Sequence, residues 1–188
     1  MKETNYYKLW FSESDPLAAR CKQADLKGVS EYFVYQPKPV ADWPEGITFY
    51  SVGEHIEDYL FPIMVDWILV SERVRLALEG MGVQGVQFLP VRVVRQERDI
   101  EIPDYYVLHV WNQISALDEK HTVYLEPRHE KHPELSIVKV ALRREAVGGL
   151  DIFRIKEDPV SVYVSKRVKE RLEEIGATGF KWIPVPSY

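Results

Sequence analysis

The chain holds one cysteine, Cys21, which excludes an intrachain disulfide and agrees with a reducing compartment. It also lacks any apolar run long enough to span a bilayer. The best stretch, Tyr59 to Val65, is broken by Pro62. The opening MKETNYYKLWFSESDP carries no long apolar region of the secretory kind, so the expected location is the cytoplasm, away from membranes. No lysine- or arginine-rich cluster with interleaved aromatics occurs, and the formal net charge is −5. An acidic chain repels phosphate backbones, which argues against nucleic acid and favours a basic partner. Glycines are few and form no phosphate loop, because the G-x-x-G pairs at 82–85 and 176–179 close helical patterns instead of opening them.

What is present is a repeated sentence. VSERVRLALEGMGVQGVQFLPV, from Val70 to Val91, has its counterpart 94 positions later, without a gap, in VSKRVKERLEEIGATGFKWIPV, from Val164 to Val185. Trp67 to Val70 and Val160 to Val164 read as short strands, rich in β-branched and aromatic residues. Ser71 and Ser165 follow at once, where a hydroxyl oxygen can cap a helix's first turn. Val74, Leu78 and Met81 then recur at helical spacing, as do Val168, Leu172 and Ile175, so each set shares one face. Gly82 and Gly176 stand where a left-handed residue ends a helix, and Gly85 and Gly179 open a second strand. The reading is two similar strand-helix-strand units, at 67–91 and 161–185, packed on a shared core. The repeated positions are caps, turns and core, so repetition here is architecture.

The rest of the chain is strand-rich, with few short helices, and gives an α+β class with a mixed sheet. Residues 1–50 read as an irregular N-terminal β layer packed on a core at 51–188. Within that layer Tyr6 to Phe11, Glu31 to Tyr35 and Ile47 to Tyr50 are candidate strands, and Asp15-Pro16 opens a candidate short helix through LAARCKQAD. GEHIEDYLFP reads as a second short helix, which would place Glu54, Glu57 and Asp58 on one face. Glu97, Asp99 and Glu101 alternate with Ile100 and Ile102. An extended backbone would line them up about 7 Å apart. Tyr105 to Trp111 is a strong strand. His121 to Leu125 and Leu135 to Leu142 are weaker ones, joined by the charged loop EPRHEKHPE at 126–134.

No constellation for catalysis stands out. His129 and His132 flank Glu130 with His121 upstream, but H-x-x-H with one cysteine in the chain is not a zinc pattern, so neither metal nor cofactor is expected. His109 sits in an apolar strand and reads as a core histidine. Ser71 and Ser165 lack a neighbouring histidine or a nucleophile elbow. His55, beside Glu54 and Glu57, is a candidate base, and Asp99 with Glu101 a candidate hydrolytic pair. The same carboxylates, Glu54, Glu57, Asp58, Glu97, Asp99 and Glu101, also suit a docking surface for a partner's lysines and arginines.

Three passages carry a family resemblance: ILVSERVRLALEGMGVQGVQFLPVRV at 68–93, YYVLHVWNQISALDEKH at 105–121 and DIFRIKEDPVSVYVSKRVKERLEEIGATGFKWIPV at 151–185. A serine-led helix, a glycine turn and an F-x-P strand are followed by a tyrosine-rich strand running into N-x-x-x-A-L-D. An I-F-R strand then precedes a second serine-led helix. This order resembles the myxobacterial-type immunity domain of bacterial polymorphic toxin systems. The matching residues here are Ser71, Phe88, Pro90, Tyr105, Tyr106, Asn112, Ala116, Leu117, Asp118, Phe153, Arg154 and Ser165. His121 departs from the small polar residue expected there. The resemblance implies a non-enzymatic cytoplasmic protein that binds a cognate toxin domain stoichiometrically and neutralises it. Two other classes stay open: a small hydrolase or transferase using His55 or the Asp99/Glu101 pair, and a binding module unrelated to toxins.

Overall fold

The computed structural model describes residues 3–127, 129, 131, 132 and 136–188. Its class is α+β. Strands β1 (Glu3–Phe11), β8 (Gln113–Ile114), β11 (Ile152–Ile155), β12 (Asp158–Ser165) and β13 (Phe180–Ser187) form a sheet in the order β13-β1-β12-β11-β8. Strands β2 (Arg20–Asp25), β3 (Thr48–Val52), β4 (Tyr59–Pro62), β5 (Leu69–Ser71), β6 (Val86–Arg95) and β7 (Ile100–Val110) close into a barrel in the order β2-β3-β6-β7-β5-β4. A short ladder, β9 (Val123–Tyr124) with β10 (Ile137–Lys139), stands apart. The helices are α1 (Glu72–Gly80), α2 (Arg144–Val147) and α3 (Lys166–Glu174). The first fifty residues therefore supply strands to both sheets.

The apolar periodicity of α1 and α3 turns both helices onto one shared core. Val74, Leu78, Val168 and Leu172 are buried there with Leu9, Val70, Leu108 and Val164. A second cluster fills the barrel, where Cys21, Phe49, Trp67, Val93 and Val107 point inward. A third, with Phe153, Ile155, Tyr163 and Leu142, lies on the far side of the five-stranded sheet.

The two stretches of like sequence run strand, helix, strand in the same order and share several polar contacts. Asp58 accepts from the Ser71 hydroxyl at 2.6 Å and from the Ser71 amide through its carbonyl, and Asp151 does the same for Ser165. Arg73 forks onto the Asp58 carboxylate, and Arg167 onto that of Asp151. Each arginine also reaches the end of the other helix. Arg73 donates to the Ile175 and Gly176 carbonyls at 3.2 and 3.1 Å, and Arg167 to the Met81 carbonyl at 3.5 Å. The helices are thus antiparallel, each capped at its negative end by a cation from its neighbour. The strand between the paired ones corresponds as well. In the barrel unit Tyr105 and Tyr106 pair with Ser71 and Val70 on one side and Val91 and Pro90 on the other. In the sheet unit Tyr6 and Tyr7 pair with Ser165 and Val164, and with Val185 and Pro184. The second unit takes this middle strand from the N-terminus of the chain.

Tertiary pairing overrides local propensity at several expected elements. Leu17 to Asp25 is no helix: β2 is held between β3 and β4 to close the barrel, with Ala19 and Cys21 buried inside. GEHIEDYLFP is no helix either. It bends past Gly53, where an added Cβ would lie 2.6 Å from the Ala19 backbone, and enters β4. Glu31–Tyr35 is a 3-10 turn, not a strand, started by the Ser30 hydroxyl oxygen. Glu97 and Asp99 lie in the turn joining β6 to β7, so they form no row with Glu101 along a strand. Asp99 takes a φ of 50°, which a short polar side chain tolerates. Leu135, expected to start a strand, lies outside the described residues, as does Glu130.

Candidate interaction surface

The six carboxylates expected to face a partner divide into two kinds. Glu57 and Asp58 are buried and engaged. Glu57 pairs with Arg20 at 3.1 Å. Asp58 accepts from Ser71 and Arg73, and from the amide and hydroxyl of Thr178 at 2.8 and 3.1 Å. Burial pushes its pKa up, but the hydrogen bonds from Arg73, Ser71 and Thr178 outweigh it and hold the carboxyl below its usual range. These two acids hold the fold.

The other four are exposed. Glu101 pairs with Arg92 at 2.7 Å, and that bond lowers its pKa. Glu54, Glu97 and Asp99 stand on loops. Barrel closure brings Glu54 to the same rim as the β6–β7 turn, although the sequence places them over forty residues apart. Gln96 donates its amide to the Ser51 carbonyl at 3.0 Å, and Arg95 reaches the Glu54 carbonyl at 2.9 Å. The rim is acidic but mixed, since Arg92, Arg95 and Arg98 share it.

The groups considered for catalysis have structural partners. His55 pairs with Asp15 at 2.7 Å on the surface, and the Asp15 hydrogen bond raises its pKa; its orienting acid is neither Glu54 nor Glu57. Asp99 and Glu101 sit on a turn and a strand, and Arg92 occupies Glu101. His109 is fully buried, with Nε2 against the Lys38 carbonyl at 3.0 Å, and burial lowers its pKa. The His129 ring nitrogen Nδ1 accepts from the His132 amide, and His121 stacks on Tyr188. Among the described residues no three His, Cys, Asp or Glu side chains are placed to hold a metal. Cys21 is buried, and burial pushes its thiol to about 12, which leaves it inert.

Arg154, of the I-F-R strand, is buried. It donates to the Pro159 and Val160 carbonyls at 2.7 and 2.6 Å and lies 5.7 Å from the Tyr35 ring. Burial lowers its pKa to about 10. The motif's arginine therefore ties the β11–β12 corner to the 3-10 turn that ends at Tyr35. Nothing local in the sequence marks Asp151 and Arg167 as a pair, because sixteen residues separate them.

Residues 11–187 match the profile of the immunity protein family Imm11. The chain belongs to that immunity protein family. No curated protein matches it. The matched span begins at the last residue of β1 and ends in β13, so it takes in the barrel, both helices α1 and α3 and the acidic rim. No helix among the described residues is long and apolar enough to cross a membrane.

Proposed function

We propose that this protein binds a cognate bacterial toxin domain in the cytoplasm and neutralises it stoichiometrically, with no turnover of its own. The observation that carries this reading is the family match over nearly the whole chain. It is supported by the engagement of His55, His109 and Glu101 in contacts within the fold. In this reading Glu54, Glu97, Asp99 and Glu101 meet basic toxin residues at the barrel rim, while Glu57 and Asp58 keep their internal roles.

Close interfacial charge pairs contribute about 1.5–7 kcal/mol of coupling, so reversing two of them is a sensitive test. The experiment co-expresses the chain with the toxin domain encoded immediately upstream and scores survival, with titration calorimetry on the purified pair. Wild type should protect at one-to-one stoichiometry. Asp99→Lys with Glu101→Lys should weaken binding while the circular dichroism spectrum is unchanged, and added salt should slow association. Full protection by the double reversal removes the rim from the interface. Failure of the wild type to protect or bind removes the immunity reading itself.

A further inference from the structure

The two units differ in what covers one sheet face. In the barrel unit that face carries Gln87 and Leu89 of β6 and Val107 and His109 of β7, and a chain segment lies across it. Val40 exchanges backbone hydrogen bonds with the Gln87 side chain at 2.7 and 3.1 Å, the Lys38 carbonyl meets His109, and the Phe33 ring packs 5.4 Å from the imidazole. Leu89, Val107 and His109 are consequently buried. In the sheet unit the corresponding positions are Lys181, Ile183, Lys8 and Trp10, paired Lys8 to Ile183 and Trp10 to Lys181 across β1 and β13. Side chains paired in this way share one face. The third cluster covers one end of this face, where it buries Tyr6, Tyr163 and Val185, but no described segment hydrogen-bonds across the end that carries Lys8 and Trp10, and Trp10 and Ile183 stay 38% and 37% exposed.

The bare face has a definite chemistry. Lys8 lies 5.3 Å from the Trp10 ring, and neither Lys8 nor Lys181 forms an ion pair with a described residue. A depression of about 230 Å³ continues the face past Lys8 and Ile183 to Val138 and Lys139. The acid lining it, Asp158, accepts from the Tyr163 hydroxyl at 2.6 Å. A tryptophan and an isoleucine set among lysines that have no ion-pair partner among the described residues, in a chain of net charge −5, make a local positive and apolar patch. Protein interfaces favour an aromatic anchor such as Trp10 inside a polar, solvent-accessible rim, and the lysines here add charge selectivity at that rim.

We propose that this open face is a second docking surface, which takes an extended segment of the toxin domain bearing apolar and acidic side chains. The inference rests on the immunity reading above and names the partner's chemistry. The segment would lie on β1 and β13 as residues 33–43 lie on β7 and β6, with its acids against Lys8 and Lys181. A nucleic-acid strand fits less well, because two or three lysines on an acidic protein give little counterion release.

The test titrates the purified upstream-encoded toxin domain, inactivated in its own chemistry, into wild type, Lys8→Glu/Lys181→Glu and Ile183→Asp. Wild type should bind, and both variants should lose ten-fold or more in affinity with unchanged thermal melts. A fluorescent single-stranded oligonucleotide is titrated in parallel and should not bind. If wild type binds the toxin and both variants bind equally well, the open face is not an interface, although the immunity reading survives. Oligonucleotide binding that the reversal abolishes would assign the face to nucleic acid and overturn the proposal. If wild type fails to bind the toxin, both readings fall. A variant with altered melting is replaced by Ile183→Cys carrying a photo-crosslinker, which must capture the toxin for the proposal to stand. The buried Cys21 would not compete for the label.

Discussion

The barrel unit and the sheet unit start from nearly the same sequence pattern, yet they finish differently. The barrel unit closes on itself, and residues 33–43 cover its inner face. The sheet unit borrows its middle strand from the N-terminus and leaves Lys8, Trp10, Lys181 and Ile183 open. Their helix starts also diverge. Ser165 both donates to Asp151 and caps α3 by accepting from the Val168 amide at 3.3 Å, whereas Ser71 donates to Asp58 and makes no side-chain cap. Asp58 has the extra bonds from Thr178, which Asp151 lacks. A repeated pattern thus secures the scaffold, and the departures from it show where each unit meets the rest of the molecule.

The comparison is broken most severely through the shared core. Leu78→Ala and Leu172→Ala each remove a side chain that is 1% exposed in the same cluster. Each should cost about 2–5 kcal/mol in denaturant melts, the two being near equal. A loss below roughly 1 kcal/mol for either would show that its helix does not rely on this core.

The aspartates should separate the units. Asp58→Ala strands Arg73, Ser71 and Thr178 together and should cost about 2–3 kcal/mol. Asp151→Ala strands only Arg167 and Ser165 and should cost about 1–2 kcal/mol. Equal losses would mean that the Thr178 bonds contribute nothing. The serines invert the ranking in the neighbouring position: Ser165→Ala gives up a helix cap, about 1 kcal/mol, and Ser71→Ala should cost less.

A smaller effect distinguishes His109 from Trp10, its counterpart in the open unit. Burial, joined by the Arg154 charge, holds the folded-state pKa of His109 below its ordinary 6.5. The unfolded chain then binds the proton first, so this term is fully present above about pH 6.5 and declines as the pH falls below it. Melts at about pH 7.5 and about pH 5.5 should show a loss that His109→Phe reduces. Asp58 and Asp151, with lowered pKa values, respond only well below that window, where protonation removes their stabilisation.

Much of this was legible in residue order. The gapless 94-residue correspondence, the serines ahead of each helix and the i, i+4, i+7 apolar sets placed α1, α3 and the strands around them, although only Ser165 caps with its side chain. The acidic rim was only half legible. Spacing alone gave Glu57 and Asp58 the same standing as Glu54, because their partners Arg20, Arg73 and Thr178 are remote in the chain. An alanine-rich run also read as helix where barrel closure makes it β2.

By itself, then, the sequence determined the period-driven elements, since amphipathic spacing, caps and glycine turns act within a few residues. Only the tertiary structure decided which strand completes each unit, which carboxylates turn inward and which end of a sheet face no described segment covers. Those outcomes depend on hydrogen-bond partners and covering segments that lie tens of residues away, and no local pattern records them.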